Sequence, residues 1–309
     1  MTYRGRFAPS PTGPLHLGSL VAATFSYLQA RKAQGQWLLR IEDLDLPRTV
    51  PGSADHIQRT LEAFGLTWDE PIIFQSQRTE AYEQALQFLI DQQQSYPCSC
   101  TRSELQALQR SDLRDHDELR YPGLCRHGPM HAQGPFAWRF RVPAQPICFT
   151  DALQGMQCLN LADSIGDFVI KRRDGWFAYQ LAVVVDDAAQ GITEVVRGID
   201  LLSNTPRQIA LQHALHLPTP TYLHLPVVTD ATGHKLSKST AATSVDNTRT
   251  GPTLWHVLSL LLQCPPPALQ TATLNTLWQW AIEHWNPNAL RQIRQIVHRD
   301  DNTEGKSTN

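Results

Sequence analysis

The N-terminal segment limits the fold more than any other part of the chain. Arg6-Phe7-Ala8 reads as a short strand that Pro9 ends, since proline has no N–H to give to a ladder. Pro9, Pro11, Gly13 and Pro14 make a rigid turn, and apolar residues at helical spacing then run from about Leu17 to Ala33. A strand that passes through a glycine- and proline-rich loop directly into a helix is the opening unit of a parallel α/β sheet. It leaves the first N–H groups of the helix exposed at the strand's end.

The rest of the chain extends that pattern. Trp37 to Ile41 reads as a second buried strand, and Ala54 to Phe64 and Glu80 to Gln93 have the spacing of amphipathic helices. From Tyr96 to Val169 the character changes to cysteines, prolines, glycines and short runs such as Phe136 to Phe140, which reads as an insertion. Leu181-Ala182-Val183-Val184-Val185, ending in Asp186-Asp187, is predicted to be a central parallel strand reaching a site. Thr193 to Arg197 is a further strand, Thr205 to His216 a helix, and from Trp255 the chain reads as helices with a polar tail, disordered after about Asp300.

The predicted class is α/β. Residues 1–95 are expected to form the first half of a parallel-sheet catalytic domain, 96–170 an insertion and 171–225 the second half. Residues 226–299 would form a lysine-bearing loop and a C-terminal helical region, and 300–309 a tail. The 309 residues suffice for such a core. No apolar stretch approaches the roughly 18 residues of a membrane span, and the start leads into a motif instead of a signal peptide, so a cytoplasmic protein is expected. A formal net charge of -2 requires any contact with a polyanion to be local. The candidates are Arg110, Arg114, Arg120 and Arg126, and the run Lys171-Arg172-Arg173.

Two motifs carry chemistry. In His16-Leu17-Gly18-Ser19 a histidine and a glycine stand at a helix N-terminus, which favours phosphate; His16 can donate to an α-phosphate as negative charge builds on it. In Lys235-Leu236-Ser237-Lys238-Ser239 two flexible cations flank a serine, an arrangement suited to the β- and γ-phosphates of a departing pyrophosphate. Of the six cysteines, Cys98, Cys100 and Cys125 cluster as zinc ligands do. On donor chemistry alone His127 is the better fourth ligand, and Tyr121 is the other candidate. Cys148, Cys158 and Cys264 read as ordinary small apolar residues.

The paired motifs, in this order, resemble the two signatures of class I aminoacyl-tRNA synthetases, and the resemblance runs from about Arg4 to Ser239. Within that class Arg6 to Gly13, Arg40-Ile41-Glu42-Asp43-Leu44-Asp45, Val183 to Asp187, Arg197-Gly198-Ile199-Asp200 and Asn204 to Gln208 resemble the glutamyl enzymes. The resemblance implies a Rossmann-like domain with ATP, accompanied by Mg²⁺, at His16, Gly18, Ser19 and Lys238, with His16, Lys235 and Lys238 catalytic. It also implies an L-glutamate pocket from Arg6, Phe7, Ala8, Pro9, Ser10, Glu42, Tyr179 and Arg197. Those residue types suit the ligand: Arg6 and Arg197 match carboxylates, Glu42 the ammonium, and Ser10 and Tyr179 add hydrogen bonds. The other reading of Glu42 is a surface pair with Arg40 or Arg48.

Only 70 residues follow Ser239, where full-length glutamyl enzymes continue into helical domains that read the anticodon. The expected relatives are therefore short paralogues that glutamylate queuosine in tRNA(Asp). That resemblance makes Tyr121 the fourth ligand of one structural zinc with Cys98, Cys100 and Cys125, in an insertion resembling an acceptor-binding one. The expected protein is a monomer whose partners are L-glutamate, ATP and tRNA(Asp) carrying queuosine. The alternatives are a compact enzyme charging the 3′ end of tRNA(Glu), a small nucleotidyltransferase, and an idle zinc and RNA-binding protein.

Overall fold

The computed structural model describes residues 2–108, 120–230 and 244–298. The first part contains β1 (Arg4–Phe7), α1 (Leu17–Lys32), β2 (Gln36–Ile41), α2 (Ser53–Ala63), β3 (Ile73–Phe74) and α3 (Thr79–Asp91). There follow β4 (Ser95–Cys98), α4 (Arg102–Leu108), β5 (Ala137–Phe140), β6 (Ile147–Asp151), β7 (Gly155–Leu159), α5 (Leu161–Ser164) and β8 (Phe168–Lys171). Then come α6 (Tyr179–Ala189), β9 (Glu194–Gly198), α7 (Thr205–Ala214), β10 (Thr221–Leu225), β11 (Val227–Thr229), α8 (Thr250–Leu260), α9 (Leu274–His284) and β12 (Gln295–Val297).

Strands β1, β2 and β3 pair in parallel, as do β9 and β10, with β6 on the far side of β10 and β7 folded back on β6 as a hairpin. The two groups meet where the Thr193 N–H donates to the Arg4 carbonyl at 2.9 Å. The order runs outward from β1 through β2 on one side and from β9 through β10 on the other. That is a topological switch point, where open α/β sheets hold ligands beyond their strands' C-terminal ends. Phe7, Glu42, Gly198 and Leu225 stand at those ends, and all four line one cavity. A separate antiparallel sheet of β4, β5 and β8 lies within the insertion.

Helix α1 is buried along nearly its whole length, packing Leu20, Phe25 and Leu28 on β2 and on α8 and α9. The tryptophans in this core keep their N–H groups satisfied. Trp37 donates to Ser26 Oγ at 2.9 Å, Trp278 to the Phe64 carbonyl at 2.9 Å and Trp285 to Gln29 Oε1 at 2.6 Å.

Three expectations change. The run Leu181 to Val185, with Asp186-Asp187, is not a strand but the interior of α6. A fully apolar run of this length has no period that separates a buried helix from a buried strand, and here burial of Leu181, Ala182, Val183 and Val184 against α3 and α7 selects the helix. Cys148 and Cys158 are not independent apolar residues: they face each other across β6 and β7 and form a disulfide, while Cys264 is exposed. The C-terminal region is not only helical, because β12 returns to pair in parallel with β11. The polar tail after Asp300 lies outside the described residues. Among the described residues no helix is long and apolar enough to cross a membrane.

Candidate active site

The cavity at the switch point has a volume of about 950 Å³ and collects the residues predicted for both substrate sites, Lys238 apart. Arg6, Phe7, Ala8, Pro9 and Ser10 enter from the end of β1, and Glu42 follows β2. Tyr179 opens α6, Arg197 sits near the end of β9, and His16, Gly18 and Ser19 stand at the start of α1. Lys235 and Lys238 lie outside the described residues. At the N-terminus of α1 no side chain caps the backbone and no acidic residue occupies the first turn. That end is electropositive and turned to the cavity, where it can hold a phosphate. Ser19 Oγ lies 3.3 Å from His16 Nε2.

A buried charge network underlies the cavity floor. Arg6 Nε is 3.1 Å from Asp187 Oδ1 and its Nη1 donates to the Val196 carbonyl at 3.2 Å. Arg40, wholly buried, reaches Asp187 Oδ1 at 2.8 Å, Glu42 Oε1 at 3.1 Å and Gln190 Oε1 at 2.7 Å. Burial alone would raise the Asp187 pKa, but Arg6 and Arg40 hold it below the ordinary carboxylate value. Glu42 differs. Burial pushes its carboxyl above the ordinary value despite Arg40 and Arg6, so an ammonium arriving beside it relieves a real cost. The surface pair considered for Glu42 is thus a largely enclosed one with Arg40, and Glu42 itself lines the cavity.

Helix α6 explains how one element serves this network. Tyr179 and Asp186-Asp187 are seven and eight residues apart, close to two turns, so they project from neighbouring parts of one face. Tyr179 lines the cavity, Asp187 meets Arg6 and Arg40, and Asp186 takes bonds from Gln75 (2.8 Å), Arg78 (2.5 Å) and Tyr82 (2.7 Å).

On the other wall, Arg197 donates to Tyr179 Oη (3.2 Å), Gln208 Oε1 (2.8 Å), Thr205 Oγ1 (2.7 Å) and His224 Nε2 (3.0 Å). Sequence reasoning did not pick out Arg40, Asp187 and His224, which contact Glu42, Arg6 and Arg197 from behind the cavity lining, or Asp151, which lies 2.6 Å from His224 Nδ1. Arg40 and Asp187 stood inside the quoted runs; His224 was signalled only by its place in the apolar strand Tyr222 to Leu225.

The cysteine cluster is a second site, made of residues that do not line the cavity. Cys98, Cys100 and Cys125 are buried with sulfurs within 4.8 Å of one another, close enough to share an ion. Tyr121 Oη lies 3.4 Å from Cys98 Sγ and 3.7 Å from Cys100 Sγ, whereas His127 does not join the group. Tyr121 is pinned by its N–H to the Ile165 carbonyl at 2.8 Å and by a bridge to Gly166, where an added Cβ would fall 2.1 Å from the Tyr121 carbonyl oxygen. Arg139 stacks on the Tyr121 ring at 3.7 Å and donates to Cys98 Sγ at 3.2 Å. Burial pushes the Cys100 thiol up to about 12. Cys125, against the effect of burial, is brought down to about 6 by backbone N–H groups of Met130 and Ser99 and by Tyr121. Three soft sulfur donors and an oxygen in one closed pocket fit a structural zinc.

The basic residues expected to meet RNA are largely engaged within the chain. Arg126 pairs with Asp167, Arg172 with Asp174 and Lys171 with Glu83, and Arg173 donates to the Ser99 carbonyl. Arg120 donates to the Ala162 carbonyl, and Arg110 and Arg114 lie outside the described residues. Arg172 also lines the cavity, with Arg48.

Comparison with known proteins gives these features a family context. Residues 2–253 match the family of class I tRNA synthetases (E and Q), catalytic domain. A glutamyl-Q tRNA(Asp) synthetase of Aromatoleum aromaticum is 52% identical over 284 residues, covering 92% of this chain and 89% of that one. One from Geobacter sulfurreducens is 52% identical over 302 residues, 95% of each. Among solved structures, a glutamate tRNA ligase from Elizabethkingia meningosepticum in complex with its amino acid superposes with a TM-score of 0.80 at 25% identity, over 96% of this chain and 67% of that one.

Proposed function

This chain belongs to the glutamyl-Q tRNA(Asp) synthetase family within the class I tRNA synthetases, and on that premise we propose that it joins L-glutamate to ATP and transfers the glutamyl group to the cyclopentene diol of queuosine in tRNA(Asp). The observation that carries the glutamate assignment is the pairing, in one cavity, of a largely enclosed carboxylate and a buried guanidinium whose hydrogen-bond partners among the described residues are all neutral. Glu42 takes the ammonium, and Arg197, held by Tyr179, Gln208, Thr205 and His224, takes a carboxylate. Arg6, anchored by Asp187, supports the second carboxylate.

In the first step a glutamate carboxylate oxygen attacks the α-phosphorus of ATP and pyrophosphate leaves, giving glutamyl-adenylate. The N-terminus of α1, His16 and Ser19 hold the phosphates as charge shifts toward the leaving group, and the charge of Lys235 and Lys238 suits them to neutralise the pyrophosphate. Mg²⁺ accompanies the ATP and offsets its charge. In the second step a hydroxyl of the queuosine diol attacks the adenylate carbonyl and AMP departs. The adenylate is already an activated acyl donor, so the side chains position reactants and stabilise charge and none forms a covalent bond. Cys98, Cys100, Tyr121 and Cys125 would hold one zinc that ties β4 to the segment around Tyr121 and takes no part in the chemistry. The reading places the enzyme in the cytoplasm, with ATP and tRNA.

Glutamate-dependent ATP–pyrophosphate exchange without RNA tests the first half of this reading. Arg197→Ala should raise the KM for glutamate roughly 10- to 100-fold, the worth of a lost charged hydrogen bond, and leave the KM for ATP within about 3-fold. Equal losses for both substrates would contradict the pocket.

A further inference from the structure

The buried guanidinium groups of the cavity keep different company. Arg6 is paired with Asp187, and Arg40 with Asp187 and Glu42. Among the described residues the hydrogen-bond partners of Arg197 are all neutral: a phenol, a carboxamide oxygen, a hydroxyl and an imidazole. Its charge is therefore kept for a ligand, and its direction depends on those neutral groups.

The imidazole is the informative one. A guanidinium N–H can only donate, so His224 Nε2, 3.0 Å from Arg197 Nε, must accept, and the ring proton must sit on Nδ1. Nδ1 lies 2.6 Å from Asp151 Oδ2, with both side chains buried. Thr205 Oγ1 accepts from Arg197 Nη2 at 2.7 Å and lies 3.2 Å from Nε2. Asp151 Oδ1 accepts the backbone N–H groups of Leu153 (3.0 Å), Gln154 (2.8 Å) and His224 (3.3 Å). The carboxylate is thereby fixed in the turn of the β6–β7 hairpin, and its charge stands one imidazole away from Arg197.

We propose that Asp151 and His224 are the positioning residues of the glutamate site: Asp151 holds His224 in the Nδ1–H tautomer, and Nε2 then aims Arg197 at the substrate carboxylate without neutralising it. The inference rests on the reading of Arg197 as glutamate's partner. Burial keeps His224 below its ordinary pKa, although Asp151 pulls the other way, which agrees with a neutral ring.

Asp151→Asn tests it. The amide keeps the shape and Oδ1, but its NH₂ faces Nδ1 and drives the ring proton to Nε2, against the N–H of Arg197. In the exchange assay the KM for glutamate should rise roughly 10- to 100-fold and that for ATP stay within about 3-fold. In an Arg197→Lys background, which keeps the charge and lacks the Nε–H, the same substitution should add less than about 3-fold. A parallel loss for both substrates, or an undiminished effect in that background, would mark a merely structural role and overturn the proposal. The wild-type protein gives an independent reading if the variant does not fold. Long-range ¹⁵N–¹H spectra at about pH 7 should show His224 as the neutral Nδ1–H tautomer; the Nε2–H tautomer or an imidazolium would overturn the proposal. Should Arg197→Ala leave the glutamate KM unchanged, the glutamate site itself and the couple both fail; should it raise that KM while Asp151→Asn does not, the couple alone fails.

Discussion

In the proposed pocket Glu42 is a single side chain that trades stability for binding. Its carboxyl is raised by burial above the ordinary value of 4.5. A carboxyl raised on folding favours the folded state at pH below its unfolded value, and that contribution is lost as the pH climbs through the folded value. At neutral pH the ionised group therefore opposes folding. Glu42→Gln keeps an oxygen for Arg40 and removes the charge. It should raise the melting temperature of the ligand-free protein at pH 7 by about 2 °C, with the gain narrowing as the pH approaches 4.5. The same change should raise the glutamate KM roughly 10-fold or more. Thermal melts at two pH values and the exchange assay check both, and a lower melting temperature would mean that Glu42 serves chiefly as the anchor of Arg40. Glu42, Arg6 and Arg197 were named from the runs that resemble the glutamyl enzymes, and all three line the cavity. The couple of Asp151 and His224 was not legible in the sequence, because 73 residues separate them and only the parallel placement of β6 beside β10 brings them together.

At the scale of elements, the strand–turn–helix opening was readable because proline and glycine act locally, and α1 begins where the spacing predicts. Helix α6 was misread because its middle is apolar throughout, so local pattern could not tell a helix buried on several sides from a central strand. The distinction matters for function: a strand would have turned Asp186 and Asp187 to opposite faces, whereas the helix lets both brace Arg40. The insertion depends on a different device. Its small sheet and the segment around Tyr121 meet at the cysteine cluster, so a closed metal site there should contribute folding energy. Purified protein should carry about one zinc per chain. Cys125→Ser should lose it and lower the melting temperature, as should a strong chelator. Equal melting temperatures for metal-loaded and metal-free protein would argue against a structural ion.

Across the whole molecule, the outward growth of the sheet on both sides of β1 and β9 opens one cavity, and residues from β1, α1, α6 and β9 meet there with Glu42, just after β2. The fold class was readable from the alternation of strands and helices, but the acceptor was not. Nothing in residue type or spacing separates a ribose hydroxyl from a cyclopentene hydroxyl, since both are neutral nucleophiles attacking the same adenylate. The family relationship carries that choice, and one measurement tests it most directly: transfer of radiolabelled glutamate, with ATP, to 3′-blocked tRNA(Asp) with and without queuosine, and to tRNA(Glu). The account predicts label only on queuosine-containing tRNA(Asp), abolished when periodate first cleaves the cyclopentene diol. Label on unblocked tRNA(Glu), with none on queuosine-containing tRNA(Asp), would contradict it and make the protein a compact enzyme that charges the 3′ end.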